Sequence, residues 1–152
     1  PILLVCSEGE EEECVMRLAR VGYDNTIGFL DGGVEAWTKA GKETDSIKSI
    51  PAEEFSKQYA EGMNVLDVRR PGEYETEHVL NAENKPLDFI NDWTNETDST
   101  KMYYVHCAGG YRSMVAASIL KARGFENIVE VAGGYGEIAK TEIPKTNLIH
   151  AK

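Results

Sequence analysis

The sequence of 152 residues predicts an α/β fold, with an open, mostly parallel sheet and helices on both of its faces. The first observation behind this prediction is that short apolar runs alternate with segments of helical pattern. The second is an incomplete internal repeat. Cys6 and Cys107 each follow an apolar run, and a diglycine, at 32–33 or 133–134, comes 26 residues after each cysteine.

The repeat also predicts how the chain is divided. Residues 47–100 precede the apolar run of the second copy, whereas no such segment precedes the first copy. We therefore expect residues 1–46 to be the C-terminal half of one unit, residues 47–144 to be a complete second unit and residues 145–152 to be a frayed tail. Because the chain starts within a predicted strand, we expect it to be an excised fragment or a product that lacks its natural N-terminus.

Proline and glycine mark the first elements of the complete unit. Pro51 suits the first turn of a helix, where its missing N–H is not needed, and Gly62 is a typical helix stop. Pro71 ends the apolar run that precedes it. The predicted elements, in order, are a strand over 46–50, a helix from 51 to 62, a strand over 64–68, a short helix over 73–78 and an extended segment over 82–87.

The second half of the unit repeats the strand and helix pattern. Val115, Ile119 and Ala122 are expected to form the buried face of its longest helix, which Gly124 ends. The predicted elements are a polar loop over 91–100, a strand over 101–106, a helix over 113–123, a strand over 128–131 and a last helix that ends before Pro144.

The chemistry is predicted to lie in the segment from Cys107 to Ser113, between a strand and a helix. This places Cys107 at the carboxyl end of a strand, where open α/β sheets bind ligands. Two glycines, Gly109 and Gly110, let successive N–H groups turn inward, and such a nest at a helix N-terminus lowers the pKa of a thiol. Arg112 adds a cation that can bind an oxyanion. The segment therefore predicts attack by a thiolate on an anionic substrate.

The length of this loop separates two reactions. Tyrosine phosphatase loops follow the pattern Cys-x5-Arg, whereas only four residues separate Cys107 from Arg112. A smaller ring of amides suits one extra sulfur atom on the cysteine better than a phosphate. We therefore favour sulfane-sulfur transfer over phosphatase or arsenate reductase chemistry.

Motifs spread over the complete unit resemble those of a rhodanese domain. They are VLDVR at 65–69, EY at 73–74 with HV at 78–79 and Ala82, CAGGYRS at 107–113 and the diglycine at 133–134. One departure is Asn81, which stands where the family has glycine. The resemblance implies a sulfurtransferase without a cofactor. Sulfur would pass from thiosulfate or a small persulfide to Cys107 as a persulfide, and then to a thiol or cyanide.

The resemblance also implies roles for residues around the cysteine. Arg69 could line the pocket, but a structural pair with Asp67 or Glu73 is an equal alternative. Asp67 and His78 are expected to support the structure. The residues expected to bind substrate are Ala108, Gly109, Gly110, Tyr111, Arg112, Ser113 and Arg69.

The first copy differs from the second at its cysteine. Cys6 is followed by one glycine and five glutamates, with no arginine before residue 17. Negative charge raises the pKa of a thiol, so we expect an inactive rhodanese-like half. Such pairs of units resemble the end of bacterial proteins that begin with a metallo-β-lactamase-fold domain. The alternative function is therefore a sulfur-carrier or docking module for such a domain. The incomplete unit could also form a homodimer.

Composition excludes several other classes. The formal net charge is −10, with 26 acidic and 16 basic residues, which argues against binding to nucleic acid or to an anionic membrane. No apolar run reaches the roughly 18 residues that span a bilayer. Three irregularly spaced cysteines favour a reducing cytoplasm, and the cysteines and histidines do not have the spacing of a metal site.

Overall fold

The computed structural model describes residues 1–147 and divides the chain into two units, Pro1–Ser46 and Ile47–Lys152. The first unit contains two parallel strands, β1 (Ile2–Leu4) and β2 (Thr26–Phe29), joined by helix α1 (Glu11–Ala19). Helix α2 (Gly33–Lys39) follows β2. Leu3, Ile27 and other large apolar side chains of this unit are exposed.

The second unit begins with β3 (Lys48–Pro51), α3 (Ala52–Gln58), β4 (Val65–Asp67), α4 (Pro71–Thr76), β5 (Glu77–Val79) and β6 (Glu83–Asn84). Two 3-10 turns, Leu87–Phe89 and Thr94–Glu96, flank the short helix α5 (Ile90–Trp93). The remaining elements are β7 (Tyr103–His106), α6 (Tyr111–Ala122), β8 (Ile128–Ala132), α7 (Gly134–Ile138) and β9 (Lys145–Asn147).

The sheet of the second unit has five parallel strands in the order β3-β8-β7-β4-β6. Successive residues of a strand point to opposite faces, so each apolar strand contributes to two cores. Val65 packs with α3 and α7, whereas Leu66 packs with α5 and α6. The predicted α/β architecture with both faces covered is therefore confirmed.

The carboxyl ends of β4 and β7 lie side by side, because Asp67 pairs with His106 in the parallel register. The loops that follow these two strands consequently meet at one edge of the sheet. The chain after β7 contains the predicted cysteine segment, and the chain after β4 contains Arg69. This edge is where a parallel sheet places a ligand site.

Three local predictions were wrong. Residues 91–100 were expected to be a polar loop, but α5 and a 3-10 turn reach into this segment and bury Trp93 and Thr94. The tail was expected from residue 145, but β9 pairs antiparallel with β5. Residues 148–152 of that tail lie outside the described residues. The helix predicted over 73–78 ends at Thr76, and residues 77–79 are strand β5.

The predicted buried face of α6 was wrong at two of its three residues. Val115 and Ala122 are exposed, whereas Ile119 is partly buried and packs against the core. The fully buried apolar residues of the helix are Ala116, Ala117 and Leu120. Small alanine side chains let the helix backbone approach the sheet closely, so the large β-branched residue stays outside.

Asn81, which stands in place of glycine, has a φ of +62°. Asparagine tolerates this left-handed conformation better than most other residues do, which explains how the turn is kept. Within residues 1–147, no helix combines the length and the apolar character that crossing a membrane requires.

Candidate active site

The segment from Cys107 to Gly110 connects β7 to α6. Helix α6 begins at Tyr111, two residues earlier than predicted, so Tyr111 and Arg112 lie in its first turn. Gly110 precedes the helix with a φ of +101°, a conformation that L side chains rarely adopt. Gly109 has no positive φ, so of the two loop glycines only Gly110 is required by its backbone conformation.

The Cys107 sulfur is buried and faces hydrogen-bond donors of the loop. The Gly110 N–H donates to Sγ over 3.1 Å, and the Ser113 Oγ lies 3.5 Å from Sγ. Burial alone would raise the pKa of the thiol. Hydrogen bonds from the Ser113 side chain and from the N–H groups of Ser113, Gly109 and Gly110 outweigh it, and the pKa of Cys107 is lowered from its ordinary value. The loop can therefore stabilise a thiolate.

The backbone of the cysteine loop is also held by helix α7, which begins at the second diglycine. The N–H groups of Tyr135 and Gly136 donate to the carbonyl oxygens of Cys107 and Ala108, over 2.6 and 3.0 Å. Gly134 permits this approach, because a Cβ there would lie 2.4 Å from the Cys107 carbonyl oxygen. With these carbonyls held against α7, the following N–H groups are free to face the sulfur. The diglycine is thus part of the site's framework.

Arg112 forms a bidentate ion pair with Glu73 of α4. Its two terminal nitrogens lie 2.7 and 2.8 Å from the two carboxylate oxygens. The hydrogen bond with Arg112 is the main cause that lowers the pKa of Glu73 to about 2. The cation expected to bind the donor is therefore already paired with a carboxylate. From the sequence, Glu73 was expected only as part of a motif and as an alternative partner for Arg69, so its pair with Arg112 was not predicted.

Arg69 lies outside the cysteine loop, in a buried pair with Asp67. Its guanidinium contacts both Asp67 carboxylate oxygens at 2.6 to 2.9 Å and donates to the Glu77 carbonyl oxygen over 2.8 Å. It also stacks over the Tyr135 ring, 4.1 Å from the centroid. These contacts favour the structural alternative for Arg69, and substrate binding by this side chain stays a prediction.

His78 and Tyr111 complete the set of predicted residues. The His78 ring stacks on Tyr74, with centroids 3.7 Å apart, and its Nε2 lies 2.6 Å from the Thr146 Oγ1. These contacts tie α4 to β9, as expected of a supporting residue. Tyr111 is 84% exposed, and its part in substrate binding stays a prediction.

Glu130 of β8 lies close to the loop, and sequence reasoning missed it. Its carboxylate accepts hydrogen bonds from the Ser113 and Ser49 hydroxyls, over 2.8 and 2.5 Å, and it is 2% exposed. The sequence does indicate such a role for Glu130, because it is the one acidic residue in the apolar strand Ile-Val-Glu-Val-Ala. A carboxylate is rarely buried without a hydrogen-bond partner.

The first unit has a different environment at its cysteine. The pKa of the Cys6 thiol is raised, first by desolvation, then by Cys14, and last by Glu11 and Glu10. The raised pKa agrees with the prediction, although the glutamates contribute less than desolvation does. The two units nevertheless share one detail. A Cβ on Gly33 would lie 3.2 Å from the Cys6 carbonyl oxygen, as Gly134 approaches Cys107.

Fold and site together define a parallel α/β domain with a thiolate-stabilising cysteine loop at the carboxyl end of a central strand. The model of the Rhodanese-like domain family matches residues 51–141, more than half of the chain. The protein therefore belongs to the rhodanese-like family.

Several bacterial proteins are similar in sequence to this domain. YqhL of Bacillus subtilis is 35% identical over 89 residues, which are 59% of this chain and 70% of YqhL. The thiosulfate sulfurtransferase GlpE of Pseudomonas syringae is 32% identical over 99 residues, 65% of this chain and 92% of GlpE. YrkF of Bacillus subtilis, named as a proposed sulfur carrier, is 32% identical over 117 residues, and the match covers 75% of this chain but 62% of YrkF.

Solved structures agree with the fold. A rhodanese-related protein from Thermoplasma volcanium is 31% identical with a TM-score of 0.60, and the match covers 65% of this chain and 97% of that chain. A rhodanese-like domain protein from Staphylococcus aureus is 29% identical with a TM-score of 0.57, covering 64% of this chain and 97% of that chain.

Proposed function

We propose that this protein is a sulfurtransferase that carries sulfane sulfur as a persulfide on Cys107. The observation that carries the proposal is the ring of donors around the Cys107 sulfur, formed by N–H groups of the loop and by the Ser113 hydroxyl. These donors stabilise one negative charge on sulfur, which is what a thiolate nucleophile and a thiolate leaving group both need. The named activity of the GlpE relatives supports the same reaction.

The proposed reaction has two steps. The Cys107 thiolate attacks the outer sulfur of a donor R–S–SH, so that a new S–S bond forms, the donor S–S bond breaks and R–S⁻ leaves. With thiosulfate as donor, sulfite leaves instead. An acceptor thiolate then attacks the outer sulfur of the Cys107 persulfide, and the Cys107 thiolate leaves. No net oxidation occurs, because each step exchanges one S–S bond for another.

The test compares two cysteine variants. Cys107→Ala should abolish sulfur transfer from thiosulfate or glutathione persulfide to cyanide, whereas Cys6→Ala, the matched control, should retain it. Intact-mass analysis after donor treatment should find one added sulfur atom in the wild type and in Cys6→Ala only. Transfer at the wild-type rate in Cys107→Ala would refute the proposal.

A sulfur carrier is the second candidate. The match to YrkF supports it, since that relative covers more of this chain than GlpE does. In this role Cys107 would hold sulfur for an attached catalytic domain, such as one of the metallo-β-lactamase fold, and the first unit would be an inactive companion. Persulfidation of Cys107 without matching turnover on small donors would favour the carrier. Turnover that keeps pace with persulfidation would favour the enzyme.

A further inference from the structure

Strand β8 places a buried carboxylate directly beneath the cysteine loop. Ile128 packs on the sheet face covered by α5 and α6, and Val129 and Val131 pack on the opposite face. Glu130 follows the alternation onto the face of Ile128, which is also the face of Cys107. An acidic side chain thus occupies a position where the sheet would otherwise bury an apolar one. Burial of a carboxylate is costly, so its contacts call for a reason.

Two hydroxyls hold this carboxylate. Ser49 of β3 donates to Oε2 over 2.5 Å, and Ser113 donates to Oε1 over 2.8 Å. Within residues 1–147, no lysine or arginine forms an ion pair with Glu130. The buried carboxylate therefore depends on these two hydroxyls for its stabilisation.

Ser113 connects this carboxylate to the nucleophile. Its Oγ lies 2.8 Å from the Glu130 Oε1, 2.9 Å from the Gly110 carbonyl oxygen and 3.5 Å from the Cys107 Sγ. A hydroxyl has one proton, so it cannot donate to all three acceptors at once. An ionised carboxylate is a stronger acceptor than a carbonyl or a thiol. The proton of Ser113 therefore lies towards Glu130 when Cys107 is a thiol.

We propose that the Glu130 carboxylate and the Cys107 thiolate compete for the single proton of the Ser113 hydroxyl. Ser113 can stabilise the thiolate only when its O–H turns from Glu130 Oε1 to the sulfur, so Glu130 limits how much thiolate forms. Glu130 acts through Ser113 and does not touch the sulfur, so it is a positioning residue. The inference deepens the proposed function, in which the Cys107 thiolate is the nucleophile.

The low polarity of the site makes this competition matter. A buried thiolate loses more stabilisation than an exposed one when a hydrogen-bond donor turns away from it. The other charged or titratable groups around the loop stay unchanged in the variants below and give a constant background. They are Arg112 on α6 with Glu73 on α4, His106 on β7, the Asp67–Arg69 pair after β4, and Tyr135 on α7.

The test measures the apparent pKa of Cys107 without any sulfur donor. The rate of alkylation by iodoacetamide is followed across pH and read at the Cys107 peptide by mass spectrometry, which separates it from Cys6 and Cys14. Glu130→Gln replaces the carboxylate by a neutral and weaker acceptor, which frees the Ser113 hydroxyl for the sulfur, and we expect about tenfold more Cys107 thiolate at a given pH below the midpoint. Glu126→Gln, which removes an exposed charge, should leave the profile unchanged.

Two further variants keep the test decisive. Ser49→Ala removes the other hydroxyl donor to the Glu130 carboxylate, so the carboxylate should hold Ser113 more strongly and the apparent pKa of Cys107 should rise. The proposal can thus be tested even if Glu130→Gln does not fold. In a Ser113→Ala background, the effect of Glu130→Gln should fall to less than half. An apparent pKa of Cys107 that is unchanged or raised in Glu130→Gln, or unchanged or lowered in Ser49→Ala, would overturn the proposed competition. Equal effects of Glu130→Gln with and without Ser113 would overturn it as well. Because no donor is used, failure of sulfur transfer leaves this test intact.

Discussion

Substitution of Gly134 by alanine should disturb the cysteine loop, whose backbone packs directly against this residue. A Cβ at this position would lie 2.4 Å from the Cys107 carbonyl oxygen and 2.8 Å from the Ala108 carbonyl carbon. Both contacts are with backbone, so no side-chain rotation relieves them. The residue also has a φ of +56°, which an alanine adopts only with strain.

The magnitude follows from these two contributions. The left-handed backbone costs alanine about 1 kcal/mol, and forcing the loop and α7 apart costs about 2 kcal/mol more, as in an overpacked core. A loss of about 3 kcal/mol corresponds to a fall of about 10 °C in the melting temperature of a chain of this size. Displacement of the Cys107 carbonyl also moves the following N–H groups, so sulfur transfer should fall about a hundredfold.

Two matched glycines separate the contributions. Gly124 has a φ of +90° with open space around it, so Gly124→Ala should lose only the backbone contribution. Gly109 has open space and no positive φ, so Gly109→Ala should keep the wild-type melting temperature. Melting is followed by circular dichroism. Equal melting temperatures for Gly134→Ala and Gly124→Ala would refute the steric argument.

Three further predictions concern charge and assembly. Glu73→Gln should lower the free energy of unfolding by about 1 kcal/mol above pH 4.5, since the pair with Arg112 is partly exposed. The difference should be lost as the pH falls from 4.5 through about 2, where half of Glu73 is protonated in the folded protein; urea unfolding across pH measures this. Burial lowers the pKa of His106 below its ordinary 6.5, so the unfolded chain binds this proton more readily than the folded protein does. The free energy of unfolding should therefore fall as the pH drops below 6.5. The same pH dependence in a His106→Asn variant would contradict this reasoning. Because large apolar side chains such as Leu3 are exposed, we expect a dimer through residues 1–46. A monomeric mass measured by light scattering would exclude this dimer.

The elements of the fold that could be predicted are those determined by residues close together in the sequence. Strands β4 and β7 are short apolar runs, and α6 ends at a glycine, so each is recognisable within a few residues. The burial of Trp93 and the pairing of β9 with β5 depend on segments far apart in the chain. The face of α6 was misjudged because close packing on the sheet selected small residues, whereas the sequence suggested large apolar ones.

The same distinction applies to the candidate site. The residues around the Cys107 sulfur lie within one segment of seven, and their types alone suggested an anion nest at a helix N-terminus. The two carboxylates were not assigned to the site, because Glu73 lies 39 positions from Arg112 and Glu130 lies 17 positions from Ser113. Only the meeting of the strand ends at one edge of the sheet brings them to the loop.

These two carboxylates change what the loop offers to a donor. Arg112 would attract a dianion such as thiosulfate, but its charge is compensated by Glu73. The donors that face the Cys107 sulfur are neutral N–H and O–H groups, which stabilise a single charge on sulfur. Thiosulfate must therefore compete with Glu73 for Arg112, whereas a persulfide that reacts through its terminal sulfur needs only the amides. For the proposed reaction, this arrangement favours small persulfides over thiosulfate as the sulfur donor.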